Sequence, residues 1–311
     1  MSGLSTNLPR PPIQSFVPAA RSSALAERIA FVVGGLLIIS GLAHLVVLVV
    51  SGGSWSGPLS WRKPTTFGVS FGLTLITITW VSRFLDLRQR TRIVLIAAFT
   101  AACTSETLLV TLQTWRGRPS HFNMETPFDA LIARALAAGG LVLVVVIVLL
   151  TIAAFRSRPS PDSSLLVAVR AGFVALVGAQ LVGVAMIATG MQLVLRGDPQ
   201  AAYASGGFLK PTHAVLMHGI LLLPLLAWFL SLVDWAEERR RAALFAATAC
   251  YALIVGATAV SNLGERRLGA AEFPTKSLLL IGTVSCVAVT LVTVVRIART
   301  TGTPRDGARR P

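Results

Sequence analysis

Residues 127–156 read PFDALIARALAAGGLVLVVVIVLLTIAAFR, and between Asp129 and Arg156 the only charged side chain is Arg134. An apolar run of this length matches the roughly 20 residues a helix needs to cross a hydrocarbon core about 30 Å thick. Its start is marked as well. Pro127 suits the first position of a helix because it has no N–H to leave unbonded. Thr126 stands three residues before Asp129, the spacing of a capping box. The stretch therefore reads as a membrane-spanning helix over 127–154, with Asp129 as part of its start signal.

Apolar runs of similar length recur on both sides of this stretch. Eight spans are predicted, at 29–50, 65–83, 93–115, 127–154, 165–190, 212–233, 242–261 and 276–297, the fifth continuing towards Leu195. The first is too long for a signal-peptide core and reads as a retained anchor helix. Residues 1–27, rich in Pro, Ser and Ala, read as a disordered cytoplasmic tail, 28–298 as one transmembrane domain, and 299–311 as a basic cytoplasmic tail. The expected fold is an all-α membrane protein, an eight-helix bundle in a bacterial plasma membrane.

Composition agrees with this class. Hydrophobic residues make up 54% of the 311-residue chain and charged residues 13%, with a mean hydropathy of +0.72. A soluble domain keeps roughly a quarter of its residues charged. The net charge of +15 comes from 28 Lys and Arg against 13 Asp and Glu. These cations flank the apolar runs and form no basic soluble face, so nucleic acid is not an expected partner. Their expected partners are the bilayer and the anionic lipids of its cytoplasmic face. The three cysteines lie inside predicted spans without a CxxC pair, which supports neither a disulfide framework nor a cysteine metal site.

Charge bias sets the expected sidedness. With the N-terminus inside, inner segments hold seventeen Lys and Arg and outer loops nine, so both termini are expected in the cytoplasm. Trp55, Trp61 and Trp115 then fall at the outer interface and Trp80, Trp228 and Trp235 at the inner one. The inner connections are short and charged. The outer ones are longer and varied, and binding groups commonly sit on such loops.

A short internal repeat follows the same map. Lys63-Pro64-Thr65 recurs as Lys210-Pro211-Thr212, and Arg116-Gly117-Arg118-Pro119 as Arg196-Gly197-Asp198-Pro199. Each inward-running helix is expected to begin at a Pro/Thr pair whose Thr caps free N–H groups. Helices 1–4 and 5–8 are then candidate parallel repeats.

At WRKPTTF (61–67) and QTWRGRPSHFNMETPFD (113–129) the chain resembles an uncharacterised family of bacterial multi-pass integral membrane proteins. Its motifs are Trp-x-Lys-Pro and Arg-Gly-x-x-Ser-His-Phe-Asn, matched here by Trp61, Lys63 and Pro64 and by Arg116, Gly117, Ser120, His121, Phe122 and Asn123. The resemblance implies the membrane class and carries no activity.

The candidate site centres on 105–129. Glu106 stands nine residues before Trp115, about 13 Å below the outer interface at 1.5 Å per residue. A lone carboxylate at that depth is costly and must be protonated, paired or hydrated. Glu106 is thus a candidate proton carrier or ligand contact, or a neutral acid bonded to a neighbour such as Gln180. Arg134 is expected to snorkel to the interface or to pair with Glu106 or Asp129. Gln113, Arg116, Arg118, His121 and Asn123 continue the stretch towards the outer face. The arginines suit a carboxylate or phosphate, and His121 suits acid–base work, unless the loop only holds its own shape through internal pairs.

All four histidines map to the outer half, and His44 and His218 lie at matching depths as candidate ligands of a metal or of haem b. Pro224 within the sixth span reads as a gate or as packing. Ala175, Ala179 and Gly183, with Ala243, Ala247, Ala252 and Gly256, are expected close-packing positions.

These features support an outward-facing polar cavity, lined by Glu106, Gln113, His44, His218 and loop 116–129, that binds or moves a small amphipathic or anionic molecule. Two other readings remain open on sequence, a membrane redox enzyme using haem b or quinone and a membrane sensor or assembly partner.

Overall fold

Each predicted span that falls among the described residues is helical. The computed structural model describes residues 21–267 except 56, 159–162, 205–206 and 234. The eighth predicted span, residues 1–20 and the tail 299–311 lie outside the described residues. Eight α-helices are described, α1 Arg21–Val50, α2 Arg62–Val81, α3 Gln89–Trp115, α4 Pro127–Arg156, α5 Ser163–Leu195, the short α6 Pro199–Ala204, α7 Lys210–Ser231 and α8 Glu237–Arg267. Seven of them are long and apolar enough to cross a membrane. No strand occurs among the described residues. The chain is a multi-pass helical membrane protein.

The exposed surface carries the apolar side chains that a water-soluble bundle would bury. On α4, Leu141, Val145, Leu149 and Ile152 are exposed, while Leu136, Leu143, Val146, Leu150 and Ala154 face the core. Lipid tails solvate such a face as well as a protein interior does, so helix association falls to packing and hydrogen bonds.

Packing is closest where side chains are smallest. Gly68 and Gly72 of α2 form a G-x-x-x-G step against Gly34 and Gly41 of α1. A Cβ added at Gly68 would lie 2.6 Å from the Leu37 carbonyl oxygen and 2.7 Å from the Gly41 Cα. The two backbones are therefore in contact, and no larger side chain fits between them. A second seam joins α5 and α7, where a Cβ on Gly219 would meet the Ala175 Cβ at 2.7 Å and one on Gly172 the Ile220 Cα at 2.9 Å. Ala175, Ala179 and Gly183 thus lie on a helix–helix seam, as their spacing suggests. At Gly256 nothing among the described residues lies within 4 Å of a Cβ built there.

Polar contacts tie the two ends of the bundle. At the end carrying the α2–α3 and α4–α5 connections, Arg83 pairs with Glu27 at 2.7 Å. There Asp86 receives Arg158 N at 2.8 Å, and Arg170 donates to the Ala154 and Ser157 carbonyls. The Glu27–Arg83 pair holds helix α1 ahead of the expected residue 29, by a partner outside the apolar run. The opposite end, the expected outer end, carries the α1–α2 loop, the α3–α4 loop and the α5–α7 connection.

Among the described residues the expected Thr caps form only once. Thr126 accepts Asp129 N at 3.1 Å at the start of α4. Thr65 instead bonds back to the Trp61 carbonyl at 3.0 Å, and Thr212 accepts from Asn262 Nδ2 at 2.6 Å. Both threonines follow the proline by one residue and already lie inside the helix, past the cap position. α7 runs on through the buried Pro224 as one helix.

Candidate functional site

The expected outer end of the α3–α4 hairpin is closed by one carboxylate. Asp129 is fully buried. Its Oδ1 accepts from Gln113 Nε2 at 2.9 Å and from Arg116 Nη1 at 2.6 Å, and its Oδ2 accepts from Thr126 Oγ1 at 2.7 Å. Arg116 also donates to Gln113 Oε1, and its guanidinium lies 4.6 Å from the centre of the Phe128 ring. A buried charge met by this many donors is a stable fixture that locks the hairpin. Gln113 and Arg116, expected to line a cavity, are committed to this network. Asp129 does not pair with Arg134, which is exposed and makes no ion pair among the described residues.

The loop above it is folded on itself. Arg118 and Glu125 form an exposed pair at 3.0 Å. Phe122 adopts a left-handed backbone, φ 63°, and its ring takes the place a side chain at Gly190 of α5 would need. Asn123 is fully buried, with Oδ1 accepting Glu125 N at 3.0 Å and Nδ2 left without a partner. His121 Nδ1 lies 3.0 Å from Ser120 Oγ, and its ring centre lies 5.9 Å from that of Phe67 on α2. Burial, aided by the positive charges of Lys63 and Lys210, pulls the His121 imidazole down to about 4. It is therefore neutral at pH 7.

His44 belongs to an aromatic cluster. Its Nδ1 meets the Ser40 carbonyl at 2.7 Å, its Nε2 accepts from Trp115 Nε1 at 3.1 Å, and it stacks on Trp61 with ring centres 6.0 Å apart. Both ring nitrogens are engaged, so none is free for a metal or haem iron. His218 Nδ1 meets the Ala214 carbonyl at 2.5 Å. Its side chain borders a narrow crevice between α2 and α7, lined also by Ser70, Leu73, Thr74, Met217 and Leu221, with no room for a water molecule. No hydrogen bond or ring contact joins His44 to His218. No group of three His, Cys, Asp or Glu suited to a metal ion occurs among the described residues.

No protein-family model, curated protein or solved structure matches the chain.

Glu106 contrasts with the satisfied carboxylate of Asp129. It lies on α3 two turns before Gln113, 4% exposed, among Cys103, Thr107 and Val110. Its carboxyl rests on Gly139 of α4: a Cβ built there would collide with Oε1. Oε1 is buried and accepts no hydrogen bond from the described residues. Neither Gln180 nor Arg134 reaches it. An unpartnered buried carboxyl oxygen costs free energy that packing alone does not return.

Sequence reasoning thus located Glu106 and the loop but missed three partners. Trp115 and Trp61 were assigned to the interface and not to His44. Gly139, next to Gly140 in an otherwise bulky apolar run, was the legible sign that something on a neighbouring helix needs room. Lys63 and Lys210 were taken as helix-start residues, although the repeat of their tripeptide marked them out together.

Proposed function

We propose that the protein binds a small anionic or amphipathic molecule from the outer side of a bacterial plasma membrane and moves it with a proton carried on Glu106. In this reading the chain has eight spans with both termini in the cytoplasm, the two four-helix halves being parallel repeats. The Trp-x-Lys-Pro and Arg-Gly-x-x-Ser-His-Phe-Asn motifs then form one unit, since Trp61 packs on Trp115 at 4.8 Å and Phe67 on His121.

The observation that carries the reading is the Glu106 carboxyl. A fold that satisfies Asp129 with three side-chain donors leaves the deeper acid with a bare oxygen and a glycine to accommodate it. An ionisable side chain kept within the bilayer at such cost is the usual mark of a proton or substrate pathway. No charged side chain forms an ion pair with it, and the titratable group beside it is the Cys103 thiol. Uptake and release of a proton therefore change the charge in this part of the bundle by one full unit.

Proteoliposomes with an entrapped pH indicator test this. Outside-in gradients of inorganic phosphate and of a dicarboxylate are applied in turn. The reading expects a proton signal with one of them, lost in Glu106→Gln and kept in Arg196→Gln. An anion-driven signal that Glu106→Gln leaves intact counts against it, as does anion flux with no proton movement.

A further inference from the structure

The two copies of Lys-Pro-Thr open α2 and α7. These helices run in the same direction and meet along the crevice in which Ser70 and Thr74 face Met217 and Leu221. Ser70 and Met217 each follow their own lysine by seven residues. Lys63 and Lys210 therefore stand at one level above the same seam, and the structure brings the two halves of the sequence repeat together there.

His121 closes the group from the α3–α4 loop, through its contact with Phe67 one turn after Lys63. Arg62 adds a third cation, its Nε bound to the Trp55 carbonyl at 2.9 Å and its charge within reach of both lysines. Of the acids described at this end, Asp129 is engaged by Arg116, Glu125 by Arg118, and Asp198 accepts Ala201 N at 2.9 Å. Among the described residues no carboxylate pairs with Arg62, Lys63 or Lys210, although both lysines are half-buried.

The backbone adds to the same field. The N-cap residues Trp61 of α2 and Leu209 of α7 make no side-chain cap bond, and at the start of α2 Arg62 N donates to Ser60 Oγ at 3.1 Å and Lys63 N to the Ser60 carbonyl at 3.0 Å. The positive ends of the two helix dipoles point towards the lysines. Like charges held together in a partly desolvated place repel unless an anion joins them. In the tautomer in which the Ser120 hydroxyl donates to Nδ1, neutral His121 keeps an Nε2–H to donate. Asn123 Nδ2, buried two residues further on, is a second donor without an acceptor among the described residues.

We propose that Lys63, Lys210 and His121 form a binding site for an oxyanion, a phosphate or carboxylate group, at the junction of α2 and α7. It deepens the proposed function by naming the ligand group and where it first binds, and it rests on that reading only for the direction of transport. Two sources supply this chemistry, a free anion and the phosphate of a lipid headgroup. In either case the ammonium groups neutralise the ligand charge, and the imidazole, which is not charged, orients it by a hydrogen bond.

The full-length protein in nanodiscs provides the test, with Trp61 beside the site as reporter. In discs of phosphatidylcholine, inorganic phosphate is titrated against chloride at matched ionic strength while tryptophan emission is followed. A second arm compares phosphatidylcholine discs with discs containing phosphatidylglycerol, without phosphate. The site predicts a saturable change in at least one arm, weakened about tenfold or more in Lys63→Gln/Lys210→Gln, as befits the loss of charge-assisted bonds. Lys63→Arg keeps the charge and should retain most of the response, and Arg196→Gln should retain all of it. A response confined to phosphate assigns a free anion, and one confined to phosphatidylglycerol assigns a headgroup; both support the site.

Equal responses to phosphate and chloride with none to phosphatidylglycerol overturn it. So does a lysine-independent response in a double variant that still elutes as a folded particle. If the double variant does not fold, Lys210→Gln alone is read by the same criteria. Proton coupling is read separately, with Glu106→Gln in the proteoliposomes, so a failure of proton coupling and a failure of this site are told apart.

Discussion

Asp129 and Glu106 are the two buried carboxyls of one helical hairpin, and the protein treats them in opposite ways. Asp129, at the expected outer end, is surrounded by Gln113, Arg116 and Thr126. Glu106, deeper in the same helix pair, has Gly139 opposite, the Gly140 backbone as a donor, and an Oε1 with no donor among the described residues. The first is a charge neutralised to hold a turn, the second an acid left able to change its protonation. Burial is therefore a poor guide to function within a membrane, and the count of donors around a buried acid is a better one.

Substitutions at either acid sharpen this contrast. Asp129→Ala removes the acceptor shared by Gln113 and Arg116 and strands a partly buried guanidinium. The thermal midpoint of the detergent-solubilised protein should fall by roughly 5–10 °C, a larger loss than for any single change at Glu106. A midpoint within experimental scatter of the parent would break the comparison, because Asp129 would then not be a lock.

Gly139→Ala forces a methyl group onto Glu106 Oε1 and should cost about 1–3 kcal/mol, the usual range for overpacking. The same change made in a Glu106→Ala background should cost little, and a double-mutant cycle of unfolding free energies reads the difference as coupling. Additive effects would mean that the two side chains do not meet.

His121 sets a pH window. The unfolded chain binds a proton near pH 6.5, whereas the folded imidazole holds off until about 4. Between these values protons favour the unfolded chain, so stability falls as pH drops from about 6.5 to about 4 and is unaffected above that range. His121→Asn should flatten this part of a midpoint-against-pH profile. The smallest effect belongs to the exposed Arg118–Glu125 pair, where Arg118→Ala should change stability by about 0.5 kcal/mol or less.

How much of this could be read in the sequence depended on the distance between partners. Spans were legible because hydropathy is a local property: 127–154 became α4, Pro127–Arg156, and the fifth span did run on to Leu195. The Thr126–Asp129 start was legible because its partners are three residues apart. The Asp129 network was half legible, since Gln113 and Arg116 lie in the same quoted stretch but meet Asp129 only when the hairpin closes. The seat of Glu106 on Gly139 requires the register of α3 on α4, which no local pattern supplies. His44 against Trp115, 71 residues away, and Lys63 beside Lys210 depend on which helices are neighbours. The Gly68–Gly72 step was written in the sequence in plain form, and its value became clear only against Gly34 and Gly41.

The central claim, that Glu106 is the acid left free and Asp129 the acid held fast, is tested most directly by a hydrophobic carbodiimide. Such reagents modify protonated carboxyls in a hydrocarbon setting. The full-length protein in nanodiscs is treated across a pH series, and the adduct is located by peptide mass spectrometry. The account predicts modification at Glu106 that declines as pH rises, is absent in Glu106→Gln, and has no counterpart at Asp129. Modification of Asp129 with Glu106 untouched, or no adduct on either acid, would contradict it.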